Sequence, residues 1–479
     1  MRSIPSPLSG AVMSARGRSG GFTGDMMAYC DARVMFGDGT MTVTAGVDIG
    51  TTSVKAVAVD DHGRVVGRAR IPHRVVVPQP DRLEHDANQA WRRGPRRALA
   101  ALAPTHVDAL AVCSMVPSLT AVDRAGRAIA PGLLYGDSRG MTDLAHLGPG
   151  GDGSIIPMLR WMSESAPDAH GYWPATAVAS RALGGEAVVD YGVAFTASPM
   201  FGPDGWDAAV GATCGARPDQ MPGVEAPGAA IGRVDRSGPV IATGSVDGLC
   251  EQLVAGAIQP GDVHVICGTT LIVWAVLPEW KEIPGIWSIP HPDMKTMLAG
   301  GASNAGGLFL DWAGRVIARS RPDARYDVAN VPVWVPYIRG ERVPHHDPSL
   351  RASLHGLDLT HGPAALRRAA WEASGFVVRR LVELAGVTPR RLVATGGGTR
   401  MAGWMQALAD TNAVPVHVSA VPETAALGAA FMARLAVGAD TDLAEAARWV
   451  ATDHVVQPDD SGARASAERF RCFVERSAQ

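Results

Sequence analysis

Two aspartates stand where this chain could do chemistry. Asp48 closes the run Ala45-Gly46-Val47-Asp48-Ile49, directly before Gly50-Thr51-Thr52. A glycine-led turn with hydroxyl side chains suits an anion, because glycine lets the backbone come close and successive turn N–H groups form a concavity for phosphate. A carboxylate beside a polyphosphate would repel it unless it held Mg²⁺ or the waters of Mg²⁺. The plainer role for Asp48 is to cap its own turn. Asp247 follows the strand-like Pro239-Val240-Ile241-Ala242-Thr243 and the turn Gly244-Ser245-Val246, and precedes a helical pattern running from Gly248 to about Ala257. At that place an aspartate either caps the helix or takes a hydroxyl proton as general base. The second role is worth about 10²–10⁴ in rate.

The Gly-Thr-Thr turn recurs. Asp262-Val263-His264-Val265-Ile266-Cys267 leads into Gly268-Thr269-Thr270, and Leu271-Ile272-Val273-Trp274 follows. Each copy reads as strand, tight turn, strand. Either turn alone is an ordinary hairpin connection. Two at matching places in two halves suit a polyphosphate held from both sides. A third glycine cluster, Gly396-Gly397-Gly398, lies between the strand-like Arg391-Leu392-Val393-Ala394-Thr395 and a helical pattern from Met401 to about Thr411. Strand, glycine loop and helix make a good seat for ribose or phosphate. No GxxxxGK[ST] occurs, so this is not a P-loop enzyme, and the spacing of this third cluster is not GxGxxG, so a dinucleotide fold has no support here.

Leu134-Tyr135-Gly136-Asp137-Ser138-Arg139 offers an aromatic, a carboxylate and a guanidinium to a polyhydroxylated ligand, though Asp137 and Arg139 could equally be a loop ion pair of small worth. His345-His346-Asp347 has the composition of a metal site but sits in a loop with no third ligand cluster. Trp91, Trp312, Trp371 and Trp404 fall in helical patterns and read as core.

The elements that must position these groups begin at Thr44. Asp61-His62-Gly63 turns the chain into a third strand near Val65, and Pro95 interrupts a helix that starts near Asp86, where a kink is expected. Residues 1–40 are rich in Gly, Ser, Arg and Met without apolar periodicity. They lack the h-region of a secretory signal and read as an unstructured leader before a natural start at Met41, or else as a targeting or partner-binding tail. The 479 residues suit two domains, and 47% apolar content fills two cores. A net charge of −3 gives no electrostatic case for nucleic acid or an anionic membrane. No apolar run spans a bilayer. Cys30, Cys113, Cys214, Cys250, Cys267 and Cys472 are scattered, without CxxC or zinc spacing, as in a reduced cytoplasmic protein.

Taken in order, these segments resemble the FGGY family of carbohydrate kinases from about Ala45 to Leu435. Besides the turns and aspartates, Pro336-Tyr337-Ile338-Arg339-Gly340-Glu341-Arg342-Val343-Pro344, His355-Gly356-Leu357 and Trp371-Glu372 carry the resemblance. It implies an α/β fold of two actin-like (ribonuclease H-like) domains with a nucleotide and sugar cleft between them. The expected division is a leader over 1–43, a sugar-side domain over 44–238, an ATP-side domain over 239–455 and a tail over 456–479. The resemblance implies ATP and Mg²⁺ as cofactors, with Asp247 as catalytic base and Asp48 near the metal through water. Gly50, Thr51, Thr52, Gly268, Thr269, Thr270, Gly396, Gly397 and Gly398 would hold nucleotide. The expected partner is a small sugar or polyol, and a homodimer is compatible.

Within the family the chain looks most like xylulokinases, but its sugar pocket departs. Where those carry Gln-Met-His-Gly, this chain has Met115-Val116-Pro117-Ser118, so an imidazole is replaced by a ring without a side-chain hydrogen bond. Tyr135 and Gly136 replace Trp and Asn, and Gly248 replaces Asn or Gln after the base. The segment between Asp137 and Trp161 is short and glycine-rich, from Gly148 to Gly153. Val116, Pro117, Tyr135, Asp137 and Asp247 are therefore the substrate candidates. The expected reaction is ATP-dependent phosphorylation of a ketopentose such as xylulose. The alternatives are ribulose, another polyol or a sugar acid as acceptor, a non-catalytic nucleotide and sugar sensor on the same fold, or an actin-like assembly protein.

Overall fold

The computed structural model describes residues 41–79, 82–102, 105–140, 155–202, 204–292, 296–318, 326–421 and 423–477. The leader expected over 1–40 and the glycine-rich stretch over 148–153 lie outside them. From Val43 onward the chain is one compact unit.

Two mixed sheets organise that unit. The first takes β1 (Thr44–Ile49), β2 (Ser53–Val59), β3 (Val65–Pro72), β4 (Ala109–Ser114), β5 (Ala230–Arg233) and β6 (Val240–Ala242), in the order β5-β6-β4-β1-β2-β3. The second takes β7 (Asp262–Cys267), β8 (Leu271–Leu277), β9 (Trp287–Pro290), β10 (Met297–Ser303), β11 (Arg391–Thr395), β12 (Val416–Ser419) and β13 (Thr452–Val456), in the order β9-β10-β8-β7-β11-β12-β13. The sheets repeat one plan. An antiparallel hairpin, β1–β2 or β7–β8, is flanked by a further antiparallel strand, while β4 or β11 pairs parallel to its first strand. β1 and β7 are buried along their whole length, as central strands covered on both faces must be. β3 alternates half-buried and exposed residues, the pattern of an edge.

β6 lies beyond the division expected at residue 238, yet pairs with β4 in the first sheet. Pro95 sits in the first turn of α1 (Gly94–Ala101), where its missing N–H costs nothing, and the break before it takes the form of a π-helical segment, Asn88–Arg93. Helix α2 (Asp247–Ala255) starts one residue ahead of the expected pattern. The core helices are α3 (Gly307–Val316), α4 (Pro363–Ala385), α5 (Ala402–Asn412), α6 (Thr424–Ala436) and α7 (Asp460–Ser477). Each sheet has its own core, and Trp91 and Trp404 are fully buried in them as expected. A third core joins the halves: Val57, Ala109, Ala111 and Val240 of the first sheet pack with Leu253 and Val254 of α2 and with the alanine face of α6. The expected tail over 456–479 holds the regular helix α7, with Phe470 and Phe473 buried in the second core.

Candidate active site

The β1–β2 register sets Asp48 directly opposite Lys55, and the Lys55 ammonium lies 3.3 Å from the carboxylate. Burial pushes the Asp48 carboxyl above its ordinary range, and Lys55 only partly offsets this. Asp48 in turn holds the Lys55 ammonium above the usual lysine value. The turn that follows is closed by a Gly50 N–H bond to the Ser53 carbonyl, 3.1 Å.

Asp247 is the first residue of α2, after Val246 in extended conformation. The segment ahead of it is tied to β4: the Ser114 N–H donates to the Ser245 carbonyl at 3.3 Å, and a Cβ on Gly244 would run into the Val112 carbonyl. Ser245 also donates to the buried Asp190 carboxylate at 2.5 Å. Asp247 accepts from the Gly248 N–H at 2.7 Å rather than capping the helix from outside. It is half-buried. The protein packed around it, and next the Asp48 charge, raise its carboxyl to about 6, with the Gly248 N–H and Lys55 opposing. One helical turn on, Glu251 shares that face of α2. Burial and the Asp247 charge push it to about 7, although Thr395 donates to it at 3.0 Å. Asp48, Asp247 and Glu251 thus stand against one ammonium, a surplus of negative charge.

Around the first turn, Tyr135 meets the Thr51 hydroxyl at 2.8 Å, tying the expected acceptor segment to the expected phosphate segment. Asp137 behaves differently. It is buried, and both its oxygens are taken within the chain by the Leu83 N–H (2.8 Å) and by the Arg139 backbone and guanidinium (2.6–3.0 Å). Arg139 continues to Glu84 at 2.8 Å and stacks over Trp161. This is a buried ion-pair network, not the loop pair of small worth, and it leaves Asp137 holding the segment rather than facing outward. Pro117 is buried and Val116 half-buried, while a side chain on Gly136 would meet nothing within 4 Å.

The second turn packs on the start of α3. Gly307 and Leu308 donate N–H bonds to the Gly268 and Thr269 carbonyls at 2.8 and 3.0 Å, and Gly306 leaves no room for a Cβ against the same turn. The Arg342 guanidinium reaches the Thr270 hydroxyl at 3.2 Å. Gly396 and Gly398 lie against the Cys267 carbonyl, so the third glycine loop opens beside the second turn, and Gly397 faces open space. Among the described residues no group of three or more His, Cys, Asp or Glu could hold a metal alone, and His346 donates from Nε2 to the Gly285 carbonyl.

Lys55, Glu251, His73, His85 and Arg342 were not anticipated as site residues. Hairpin register around a turn at 50–52 would have given Lys55, and helical spacing from Asp247 would have given Glu251. The others arrive from distant segments and have no local signal.

Residues 43–154 match the N-terminal domain of the FGGY family of carbohydrate kinases, and residues 263–437 its C-terminal domain. The chain is 26% identical over 474 residues to a xylulose kinase of Escherichia coli (strain K12), covering 90% of this chain and 96% of that protein. It is 26% identical over 451 residues to a gluconokinase of Bacillus subtilis (strain 168), covering 82% and 87%. Its fold superposes on the crystal structure of a xyloylose kinase from Brucella ovis with a TM-score of 0.82 at 22% identity, covering 91% and 99%.

Proposed function

This chain belongs to the FGGY family of carbohydrate kinases, a family of ATP-using sugar phosphotransferases, and from that premise we propose that it phosphorylates a ketopentose such as xylulose, with Asp247 as general base. The observation that carries the role of Asp247 is its place at the start of α2, half-open, with a carboxyl raised to about 6 by burial and by Asp48. At neutral pH such a group is ionised yet a better proton acceptor than an ordinary aspartate. It takes the proton of a primary hydroxyl, and that oxygen attacks the terminal phosphorus in line as the bond to the β,γ-bridging oxygen breaks and ADP leaves. The N–H groups of Thr51 and Thr52 and those of the Gly268-Thr269-Thr270 turn receive the charge spreading over the phosphoryl oxygens, and Gly396-Gly397-Gly398 seats the nucleotide.

The surplus negative charge of Asp48, Asp247 and Glu251 over Lys55 suits a divalent cation brought in with the nucleotide. Asp48 would hold Mg²⁺ through its waters. When bound, Mg²⁺ neutralises the terminal phosphates. Tyr135, with Val116 and Pro117, would shape the acceptor pocket.

A sugar acid is the second acceptor to consider. The gluconokinase relative favours it. The test is ADP release with Mg-ATP over a panel of ketoses, polyols and sugar acids, with Asp247→Asn alongside. One acceptor should raise ADP release well above background, and the variant should lose about 10²–10⁴-fold. A panel without any stimulation, or a variant that keeps its rate, would sink the reading.

A further inference from the structure

The first Gly-Thr-Thr turn is gripped by two histidines from outside the hairpin. His73 follows β3, where the β2–β3 register brings it alongside the turn, and its backbone N–H donates to the Thr52 carbonyl at 3.0 Å. Its ring Nε2 meets the Gly50 carbonyl at 3.0 Å. His85, from the short strand Glu84–His85, meets the Thr51 carbonyl with Nε2 at 2.8 Å. A carbonyl only accepts, so each Nε2 carries the proton. For His85 the tautomer is fixed a second time, because the Trp91 indole N–H donates to its Nδ1 at 3.0 Å. The two rings stand edge to face at 4.5 Å, on one side of the turn.

The consequence follows from peptide geometry. In a planar trans peptide the C=O and the following N–H point in opposite directions. With the Gly50 and Thr51 carbonyls turned to the histidines, the N–H groups of Thr51 and Thr52 emerge on the far side. No described residue accepts a bond from either. The turn's three carbonyls are all taken by the chain, and two adjacent donors are left. The second turn is built to the same end by different means: its Gly268 and Thr269 carbonyls are taken by the Gly307 and Leu308 N–H groups of α3. Two unrelated sets of donors occupy equivalent carbonyls in the two halves, which a mere hairpin connection does not require.

We propose that His73 and His85 are positioning residues for the nucleotide: by holding the Gly50 and Thr51 carbonyls they aim the Thr51 and Thr52 N–H groups at its terminal phosphate. Burial supports this by pushing both imidazoles below the ordinary histidine value, His85 to about 4, which favours the neutral ring with its single donor. The inference rests on reading that turn as the phosphate cradle of the kinase.

Calorimetric binding separates the two ideas, since it needs no acceptor. The full-length protein is titrated with Mg-ADP and with the Mg complex of a β,γ-imido ATP analogue. Wild type should bind the triphosphate analogue more tightly than ADP. His73→Ala and His85→Ala should each lose about tenfold of that preference, the worth of a charge-assisted hydrogen bond, and keep their affinity for ADP. His73→Gln and His85→Gln, which put an amide N–H near the place of Nε2, should recover most of it. His73 is only half-buried, so its variants remain informative if His85→Ala fails to fold. Absence of a triphosphate preference in wild type, retention of it in the alanine variants, or equal loss of ADP affinity with no rescue by glutamine would overturn the proposal. Intact preference loss in a protein that phosphorylates no acceptor would leave it standing and sink the kinase reading instead.

Discussion

At the scale of the residue, the carboxylates divide by environment. Asp137 is spent on Arg139 and Leu83, whereas Asp247 is raised by burial and by the Asp48 charge, and Glu251 by burial and by the Asp247 charge. A base must be ionised to work, and raising its carboxyl to about 6 moves the loss of activity upward from the usual carboxylate range. Activity is therefore full above that value and falls as pH drops through it. The expected acid limb of kcat/KM has its midpoint near 6 and a slope of one proton. Glu251 binds its proton about a unit higher and is largely neutral when Asp247 titrates, so Glu251→Gln should leave the midpoint in place. Stopped-time assays from pH 5 to 8 on both proteins check this. A midpoint near 4, or one that drops by a unit in Glu251→Gln, would show that Asp247 is not the group seen. Asp48 and Asp247 could be picked out from the sequence because each adjoins a glycine turn at a strand end. The partners that tune them could not, since Lys55 and Glu251 act through register and helical pitch.

At the scale of the element, the two hairpins, the third strand near Val65 and the helix after the glycine cluster were legible from alternation and turn chemistry. The seat of α6 was not. Nothing local in Thr424–Ala436 says that a helix following β12 of the second sheet will lie on β1 of the first. Its small residues allow that approach: a Cβ on Gly46 would run into the Ala426 carbonyl, and one on Gly428 into the Cys250 carbonyl. Three backbones meet there without side chains between them, so the contact cannot relax by a rotamer change. Gly46→Ala should lose about 3 kcal/mol, the upper end of what overpacking costs, read as a fall in the urea midpoint with the slope unchanged. Gly136→Ala is the control for handling a glycine of the same region, because its Cβ meets nothing, although φ +81° gives it a smaller backbone cost. Equal midpoints for Gly46→Ala and wild type would mean that α6 does not pack on β1 as described. A helix held this closely to both halves is also the element through which a change of angle between the sheets would have to pass.

At the scale of the whole molecule, α7 makes the second core complete. Its Phe470 and Phe473 pack on Phe376 of α4, an i, i+3 pair that the sequence displays but that reads as a tail when charged neighbours dominate. Arg469 joins a buried network: it holds Glu372 at 2.7 Å with two nitrogens, Arg368 holds Glu372 and Asp410 at 2.7 Å, and the four charges cancel. Such a network is weak evidence of net stabilisation, since desolvation consumes most of the attraction. Breaking it is another matter, because one partner's removal strands a charge at a cost of roughly 3–5 kcal/mol. Arg469→Met keeps the bulk and removes the charge, leaving two carboxylates with Arg368 alone. It should lower stability by that amount in urea, while the Arg469→Met/Glu372→Gln pair, which removes one charge of each sign, should recover a large part of it. Truncation after Val456 removes both phenylalanines as well, about 2–3 kcal/mol of apolar burial each. Added to the stranded carboxylates, that approaches the entire 5–15 kcal/mol of an ordinary domain. The shortened chain should therefore be insoluble or lack a cooperative transition. A truncated protein that melts as wild type does would show that the second sheet closes its core without α7, and that residues 456–479 are the tail their sequence suggests.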